Sequence, residues 1–174
     1  MMGRSSLYLL TALLGAGSAA LAAKMPLNAS LCAADERVYF SCQAGKGPKR
    51  IALCGQVTGG AGGEHDFLQY RFGTREHLEM VYPSSREDSV DKFTFGGAYQ
   101  KMGRMESKEI SFHSGSYDYT VYTMSYPLGD AESDGYAHDS GVRVARAGKD
   151  VATVKCGGEP REDLGGLGWL QRSN

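Results

Sequence analysis

Residues 110–124 read Ile-Ser-Phe-His-Ser-Gly-Ser-Tyr-Asp-Tyr-Thr-Val-Tyr-Thr-Met, and this stretch decides the fold class. Two runs rich in β-branched and aromatic residues flank Ser114-Gly115-Ser116, which is the pattern of two antiparallel strands joined by a tight turn. After residue 22, no comparable length of chain carries the apolar spacing of an amphipathic helix. The stretch therefore indicates a β-hairpin in a chain that is mostly strand.

Further strand-like runs follow at intervals of roughly 8–12 residues, which is the spacing expected of an antiparallel β domain. They cover residues 38–42, 51–54, 67–72, 78–82, 92–95, 142–146 and 151–156. Gly, Ser, Asp and Pro predict loops at 96–99, 102–105 and 130–139, a flexible link at 58–63, and an apolar tail at 164–170 that docks on the sheet. The sequence predicts an all-β fold, an antiparallel sandwich or small barrel of about eight or nine short strands with disulfides.

The first 22 residues have the three parts of a secretory signal peptide. Arg4 gives a basic start, residues 7–16 form an apolar core, and Ala20-Leu21-Ala22 is a small-residue cleavage site. The apolar core is shorter than the roughly 20 residues that span a bilayer. We therefore expect a signal peptide at 1–22, a single β domain at 23–174, and a periplasmic or secreted protein that does not span the membrane.

The four cysteines all follow the predicted cleavage site, at Cys32, Cys42, Cys54 and Cys156. An even number in an exported chain indicates two disulfide bonds, and four cysteines allow three pairings. Strand alternation favours one of them, because Cys42 shares a face with Val38 and Phe40, and Cys156 shares one with Ala152 and Val154. Joining these two faces gives Cys42–Cys156 with Cys32–Cys54, and a Cys42–Cys54 bond across the first hairpin is the competing pairing.

Charge and motif content exclude several classes of function. The formal net charge is −1 and no basic run is long, so nucleic acid is not expected as a partner. The closest cysteines, Cys32 and Cys42, are ten residues apart and no close histidine pair is present, so we predict no metal site and no cofactor.

A catalytic set is not predicted either, since the nucleophile motif G-x-S-x-G is absent. The nearest approach to one is His113 beside Ser114 and Ser116 at the hairpin turn. A small extracytoplasmic hydrolase with its site there is the alternative function.

The tyrosines are the most distinctive side chains. Tyr117, Tyr119, Tyr122 and Tyr126 lie on or near one predicted strand, and Tyr99 lies in a predicted loop. Tyr117 and Tyr119 face one way, whereas Tyr122 and Tyr126 face the other. Core packing is the commoner role for such residues, but the five tyrosines are also the candidate binding residues, for a sugar ring or a protein surface.

Several segments together resemble a family of small, uncharacterised exported proteins of Gram-negative bacteria. They are Phe40-x-Cys42-x-x-Gly45-Lys46, Ala52-Leu53-Cys54, Tyr70-Arg71-Phe72-Gly73, Tyr117-x-Tyr119-x-Val121-Tyr122, Gly141-Val142-x-Val144 and Cys156-x-Gly158. The resemblance covers most of the chain after the leader and brings no known activity. The first segment is also similar to a motif of the periplasmic lysozyme inhibitors, which are small exported β-barrels. The second motif of that family is not recognisable here, so no residue role is carried over.

These observations predict a non-catalytic exported domain that binds a protein or a cell-envelope component. An inhibitor or immunity protein against a wall-degrading enzyme is one form of that function. A purely structural role in the envelope is a further alternative, and the sequence does not indicate an oligomeric state.

Overall fold

The chain folds as two antiparallel sheets packed face to face. A computed structural model describes residues 30–57, 66–100, 104–129 and 135–170, without the side chains of residues 99 and 100. Over these residues it contains ten strands, arranged in two sheets of five, and two short 3-10 helical turns. The all-β class is confirmed. Because the sheets are separate and open, the architecture is the sandwich and not the small barrel, and the described residues form ten strands where about eight or nine are predicted.

The first sheet is built from β1 (Arg37–Gln43), β2 (Arg50–Gln56), β3 (Phe67–Gly73), β4 (Leu78–Tyr82) and β10 (Arg161–Glu162). Its order is β10-β1-β2-β3-β4. The second sheet follows chain order and contains β5 (Phe93–Gln100), β6 (Met105–Ser114), β7 (Tyr117–Pro127), β8 (Tyr136–Arg146) and β9 (Lys149–Lys155). The 3-10 turns lie at Val90–Lys92, before β5, and at Leu164–Leu167, after β10.

Aromatic rings hold the two sheets together. Phe112 stacks on Tyr119 and on Tyr82, with ring centroids 4.9 and 4.6 Å apart, and Tyr70 of the first sheet lies 5.1 Å from Phe112. Buried aliphatic side chains of both sheets surround these rings: Ile51, Leu53, Leu68, Ile110, Val121 and Val142. The tail adds Leu164, Leu167 and Leu170 to the same core, so its predicted docking is confirmed.

Two disulfide bonds join Cys42 to Cys156 and Cys32 to Cys54, which is the pairing that strand alternation favours. The first closes a separation of 114 residues and fixes β1 of the first sheet to the chain that leaves β9 of the second. The second closes 22 residues and belongs to a smaller apolar cluster with Leu31 and Ala52. The first bond therefore anchors the chain after β9 to β1, and the second anchors the segment before β1 to β2.

The alternation predicted for the cysteine strands is only partly correct. A β-bulge between Val38 and Phe40 breaks the alternation of β1, and Val38 lies opposite Cys54. Phe40 and Cys42 face the core, as expected, but Ala152 is exposed. The pairing survives because the residues nearest the bond keep their predicted face, since Val154 and Cys156 both pack against the core.

Two predicted loops are strands. Residues 96–99 belong to β5 and residues 136–139 to β8, and Met105 opens β6. Gly96, Gly97 and Ala98 have weak strand propensity, yet each lies opposite a residue of β6, so tertiary pairing overrides local preference. The predicted link at 58–63, residues 130–134 of the acidic loop and the predicted leader lie outside the described residues.

The outer face of the first sheet is covered by residues 30–36 and carries a buried ion-pair network. The Glu36 carboxylate accepts hydrogen bonds from Arg71 at 2.6 and 2.8 Å, from Arg86 at 2.5 Å, and from the Ala33 N–H at 2.6 Å. Burial alone raises the pKa of Glu36, but the hydrogen bonds from Arg71 and Ala33 and the charges of Arg71 and Arg86 outweigh it, so the pKa is lowered.

Among the described residues, no helix is long and apolar enough to cross a membrane.

Candidate functional site

The chain between β9 and β10, residues 156–160, separates two cavities. We call this segment the connector. The Cys42–Cys156 bond fixes its first residue, and the Gly157 N–H donates to the Gln43 carbonyl at 2.9 Å. Pairing of Glu162 with Phe40 and of Arg161 with Ser41 then sends these two neighbouring side chains to opposite faces of the first sheet. Glu162 lines a cavity between the sheets, and Arg161 lines another on the outer face.

The cavity between the sheets is a polar trough of about 300 Å³. Its floor is the inward face of β6, β7 and β8, which continues past the core because these strands are longer than those of the first sheet. We call each row of inward side chains paired across the three strands a rung. Successive rungs change from apolar to polar. The core rung is Ile110, Val121 and Val142, the next is Lys108, Thr123 and Ser140, and the last is Glu106, Ser125 and His138. Glu159, Pro160 and Glu162 form the facing wall.

Carboxylates dominate the charge of this trough. Lys108 Nζ lies 3.4 Å from Glu162 and 3.5 Å from Glu106, so one ammonium ion bridges the floor and the wall. Partial burial lowers the pKa of Lys108, but the charges of Glu162 and Glu106 outweigh it and raise that pKa. Glu159 adds a third carboxylate. Asp139 also lines the trough, but its carboxylate pairs with Lys155. The other acidic residues, Glu106, Glu159 and Glu162, place three carboxylates against the one ammonium of Lys108, which suits a cationic or hydroxyl-bearing group on a ligand.

Ser140 adds a hydrogen-bonding group at the base of the trough. Its side chain is largely buried, and the residue lines the cavity. A group entering the trough can therefore bond to a hydroxyl that rigid strands position.

The candidate tyrosines do not form one surface. Tyr119 stacks on Phe112 in the core. Tyr122 faces outward but is only 3% exposed, because Gly141 opposite it has no side chain and the Arg143 guanidinium lies 4.9 Å from its ring. Burial, and then the charge of Asp139, raise the pKa of Tyr122.

The remaining three tyrosines differ in accessibility. Tyr117 is half-buried near the guanidinium of Arg146, 5.5 Å from its ring centre, and Tyr126 is 40% exposed. Tyr99 lies in β5 instead of a loop, and its side chain is outside the described part of the structure. Of the four tyrosines whose side chains the structure describes, Tyr126 is the most exposed.

The alternative hydrolase site contains a histidine oriented by an acid. Nδ1 of His113 lies 2.9 Å from a carboxylate oxygen of Asp118 on the next strand, and this hydrogen bond raises the pKa of His113. The pair is exposed on the outer face of the second sheet. Within the described residues, neither Ser114 nor Ser116 bonds to the imidazole, so a complete nucleophile–base arrangement is not formed there.

One group in the described residues brings together three atoms of types that can bind a metal ion, on Cys32, Glu36 and Cys54. Both sulfurs are in the disulfide bond and the carboxylate is held by arginines, so this group does not suit a metal ion.

Comparison of the chain with protein families, with curated proteins and with solved structures gives no match.

Sequence reasoning missed the trough residues, although one signal was present. Glu106, Lys108, His138 and Ser140 occupy the positions that alternation assigns to the core face, where apolar residues are expected. Polar residues in inward positions at the same end of β6 and β8, the two strands that flank β7, indicate a solvated cavity. The contribution of Glu162 was not readable, because it depends on β10 joining the opposite sheet.

Proposed function

We propose that this protein is an exported, non-catalytic domain that binds a protein or a component of the cell envelope in the polar trough. The observation that carries the proposal is the change from apolar to polar rungs on one continuous sheet face. Rigid strands and the Cys42–Cys156 bond hold these side chains in place before any ligand arrives, which lowers the entropic cost of binding. The partner group best suited to three carboxylates and one ammonium is a basic side chain or a hydroxyl-rich unit.

A charge reversal in the trough tests this site. Immobilised wild-type protein is expected to retain a specific partner from an envelope extract, and Glu106→Lys is expected to lose it. Glu76→Lys makes the same change of charge at an exposed turn of the first sheet, away from the trough, and is expected to retain the partner. Equal recovery by both variants, or recovery of abundant background proteins only, would count against the trough as the binding site.

Export is the second part of the proposal. It is supported by the signal-peptide pattern of residues 1–22 and by two disulfide bonds, which persist in oxidising compartments. Protein isolated from the periplasm or the medium is expected to begin at Ala23 when its N-terminus is sequenced. An intact leader on a protein confined to the cell interior contradicts it.

An inhibitor or immunity protein is the specific form that the short Phe40-x-Cys42-x-x-Gly45 similarity supports. Purified protein is then expected to slow the digestion of cell walls by a lysozyme, and Glu106→Lys to relieve that effect. Unchanged digestion would exclude inhibition of a lysozyme. Binding to an envelope component would then be tested by the extract experiment alone.

The hydrolase remains the second candidate, favoured by the His113–Asp118 hydrogen bond. Turnover of an ester or glycoside panel that disappears in His113→Ala supports it. An inactive wild-type protein across that panel removes it.

A further inference from the structure

The cavity on the outer side of the connector differs in charge from the trough. It has a volume of about 270 Å³ and lies where β1, β2 and β10 meet. Ser41 and Arg50 form its inner part, and Gly158, Glu159 and Arg161 form its rim. Because Arg161 and Glu162 point to opposite faces, one short strand supplies a cation to this cavity and an anion to the trough.

The Ser41 hydroxyl is the most informative atom in this cavity. Ser41 is 5% exposed, and its Oγ is buried without a hydrogen-bond partner among the described residues. Leaving a buried hydroxyl unpaired costs about 1–3 kcal/mol, so native proteins seldom do it. Ala52 and Arg161 lie opposite Ser41 on the neighbouring strands. The alanine side chain has no polar atom and the guanidinium only donates, so neither side chain can accept the Ser41 proton.

Two arginines, Arg50 and Arg161, line the same cavity as this hydroxyl. Arg50 is half-buried, and its pKa is lowered by burial and then by the charge of Arg75. Arg161 is exposed and has no ion pair with any residue that the structure describes. Glu159 offsets one of these charges, so the residues that line the cavity carry a net charge of +1 from two arginines and one glutamate.

We propose that this cavity binds a phosphate group, held between Arg50 and Arg161 and accepting a hydrogen bond from the Ser41 hydroxyl. A phosphate carries several acceptor oxygens on one centre and matches the forked donors of arginine. It therefore provides an anionic acceptor for the buried Ser41 hydroxyl and for the exposed Arg161 side chain. Free phosphate and a phosphate ester present the same group. The proposal does not rest on binding in the trough, although Glu159 lines both cavities.

The test is a titration of the whole mature protein with inorganic phosphate at constant ionic strength, with sodium chloride as the reference. We expect saturable shifts of the Gly158 amide and a melting temperature that rises with phosphate, because a ligand of the folded state stabilises it. Arg161→Gln is expected to weaken binding about tenfold or more, and Ser41→Ala about threefold to tenfold. Arg146→Gln removes an exposed arginine elsewhere on the molecule and is expected to bind like wild type.

Ser41→Ala also has a signature that a purely structural serine would not give. In sodium chloride the variant is expected to be at least as stable as wild type, because it removes an unpaired hydroxyl. Adding phosphate is expected to raise the melting temperature of the wild type more than that of the variant. Glu159→Gln is expected to tighten binding, since it removes the opposing charge.

A second arm separates the sources of phosphate. Sedimentation with phosphatidylglycerol vesicles that is lost in Arg161→Gln assigns a lipid headgroup, and phosphate binding without sedimentation assigns a free phosphate. No saturable response in either arm, or equal binding by wild type and Arg161→Gln, overturns the proposal.

Discussion

The buried carboxylate of Glu36 holds residues 30–36 on the outer face of the first sheet, and no sequence pattern predicts this role. Glu36 lies outside the strands, yet 1% of its side chain is exposed and it holds Arg71 and Arg86. Arg71 also donates to the Leu31 carbonyl and to Gln69, so the network fixes residues 30–36 against β3. Glu36 and Arg71 are 35 residues apart and belong to no motif, which is why sequence reasoning did not pair them.

The first prediction concerns the strength of this network. Glu36→Gln leaves Arg71 buried without its counter-charge, and breaking a buried ion pair in this way typically costs about 3–5 kcal/mol of unfolding free energy. Glu79→Gln breaks the exposed Lys49–Glu79 pair and is expected to cost less than about 1 kcal/mol. Denaturant unfolding measures both. Equal losses would show that Glu36 stabilises the fold no more than a surface charge does.

The second prediction is a pH dependence from the same carboxylate. Because the pKa of Glu36 is lower in the folded state, its stabilisation is present above the ordinary carboxyl pKa and is lost as the pH falls through the folded-state value. The difference in unfolding free energy between wild type and Glu36→Gln should therefore shrink on acidification. A difference that stays constant between neutral and acidic pH contradicts this assignment.

At the level of elements, the sequence located strand centres better than strand ends. Segments with strong strand propensity, such as residues 117–124, were correctly predicted as strands from local composition. Residues 96–99 and 136–139 are strands because a neighbouring strand supplies partners, for example the Ser107 hydroxyl that accepts the Ala98 N–H at 3.0 Å. Local composition does not contain that information. The trough was missed for the same reason, since it forms where strands extend beyond their predicted ends.

Gly141 makes the β8–β9 pairing a third testable feature. Its φ is +155°, and a Cβ there would lie 2.3 Å from the Val154 carbonyl oxygen on the adjacent strand. Gly141→Ala is expected to lower the unfolding free energy by about 2–4 kcal/mol, through backbone strain and overpacking.

Gly158→Ala is the matched control, because a Cβ at that position meets no atom within 4 Å. Thermal and denaturant unfolding compare the two variants. A tolerated Gly141→Ala would show that β9 can move away without cost.

On the scale of the molecule, the two disulfide bonds differ in the length of chain that they close. A chain-entropy estimate assigns about 5 kcal/mol to a loop the size of that closed by Cys42–Cys156 and about 3 kcal/mol to one the size of that closed by Cys32–Cys54. The fourth prediction is that replacing Cys42 and Cys156 by alanine lowers the unfolding free energy more than replacing Cys32 and Cys54. Unfolding of the two double variants under oxidising conditions measures this, and the reverse order would contradict it.

The pairing itself was predictable because a strand's alternation is a local property. Cys42 and Cys156 face the core together with Phe40 and Val154, and the bulge at Val38 lies far enough away to leave them unaffected. Strand alternation does not predict the path of the connector, which the Cys42–Cys156 bond fixes. The trough and the cavity on the outer side of the connector both depend on that arrangement, so neither was foreseen.

The long disulfide also turns most of the domain into a covalent ring with two short tails. A protease that cuts once anywhere between residues 43 and 155 opens the ring without releasing a fragment. Such nicked molecules would migrate as one species on a gel until a reductant separates the two pieces. In a compartment rich in proteases, the domain would therefore keep its parts together after a first cut.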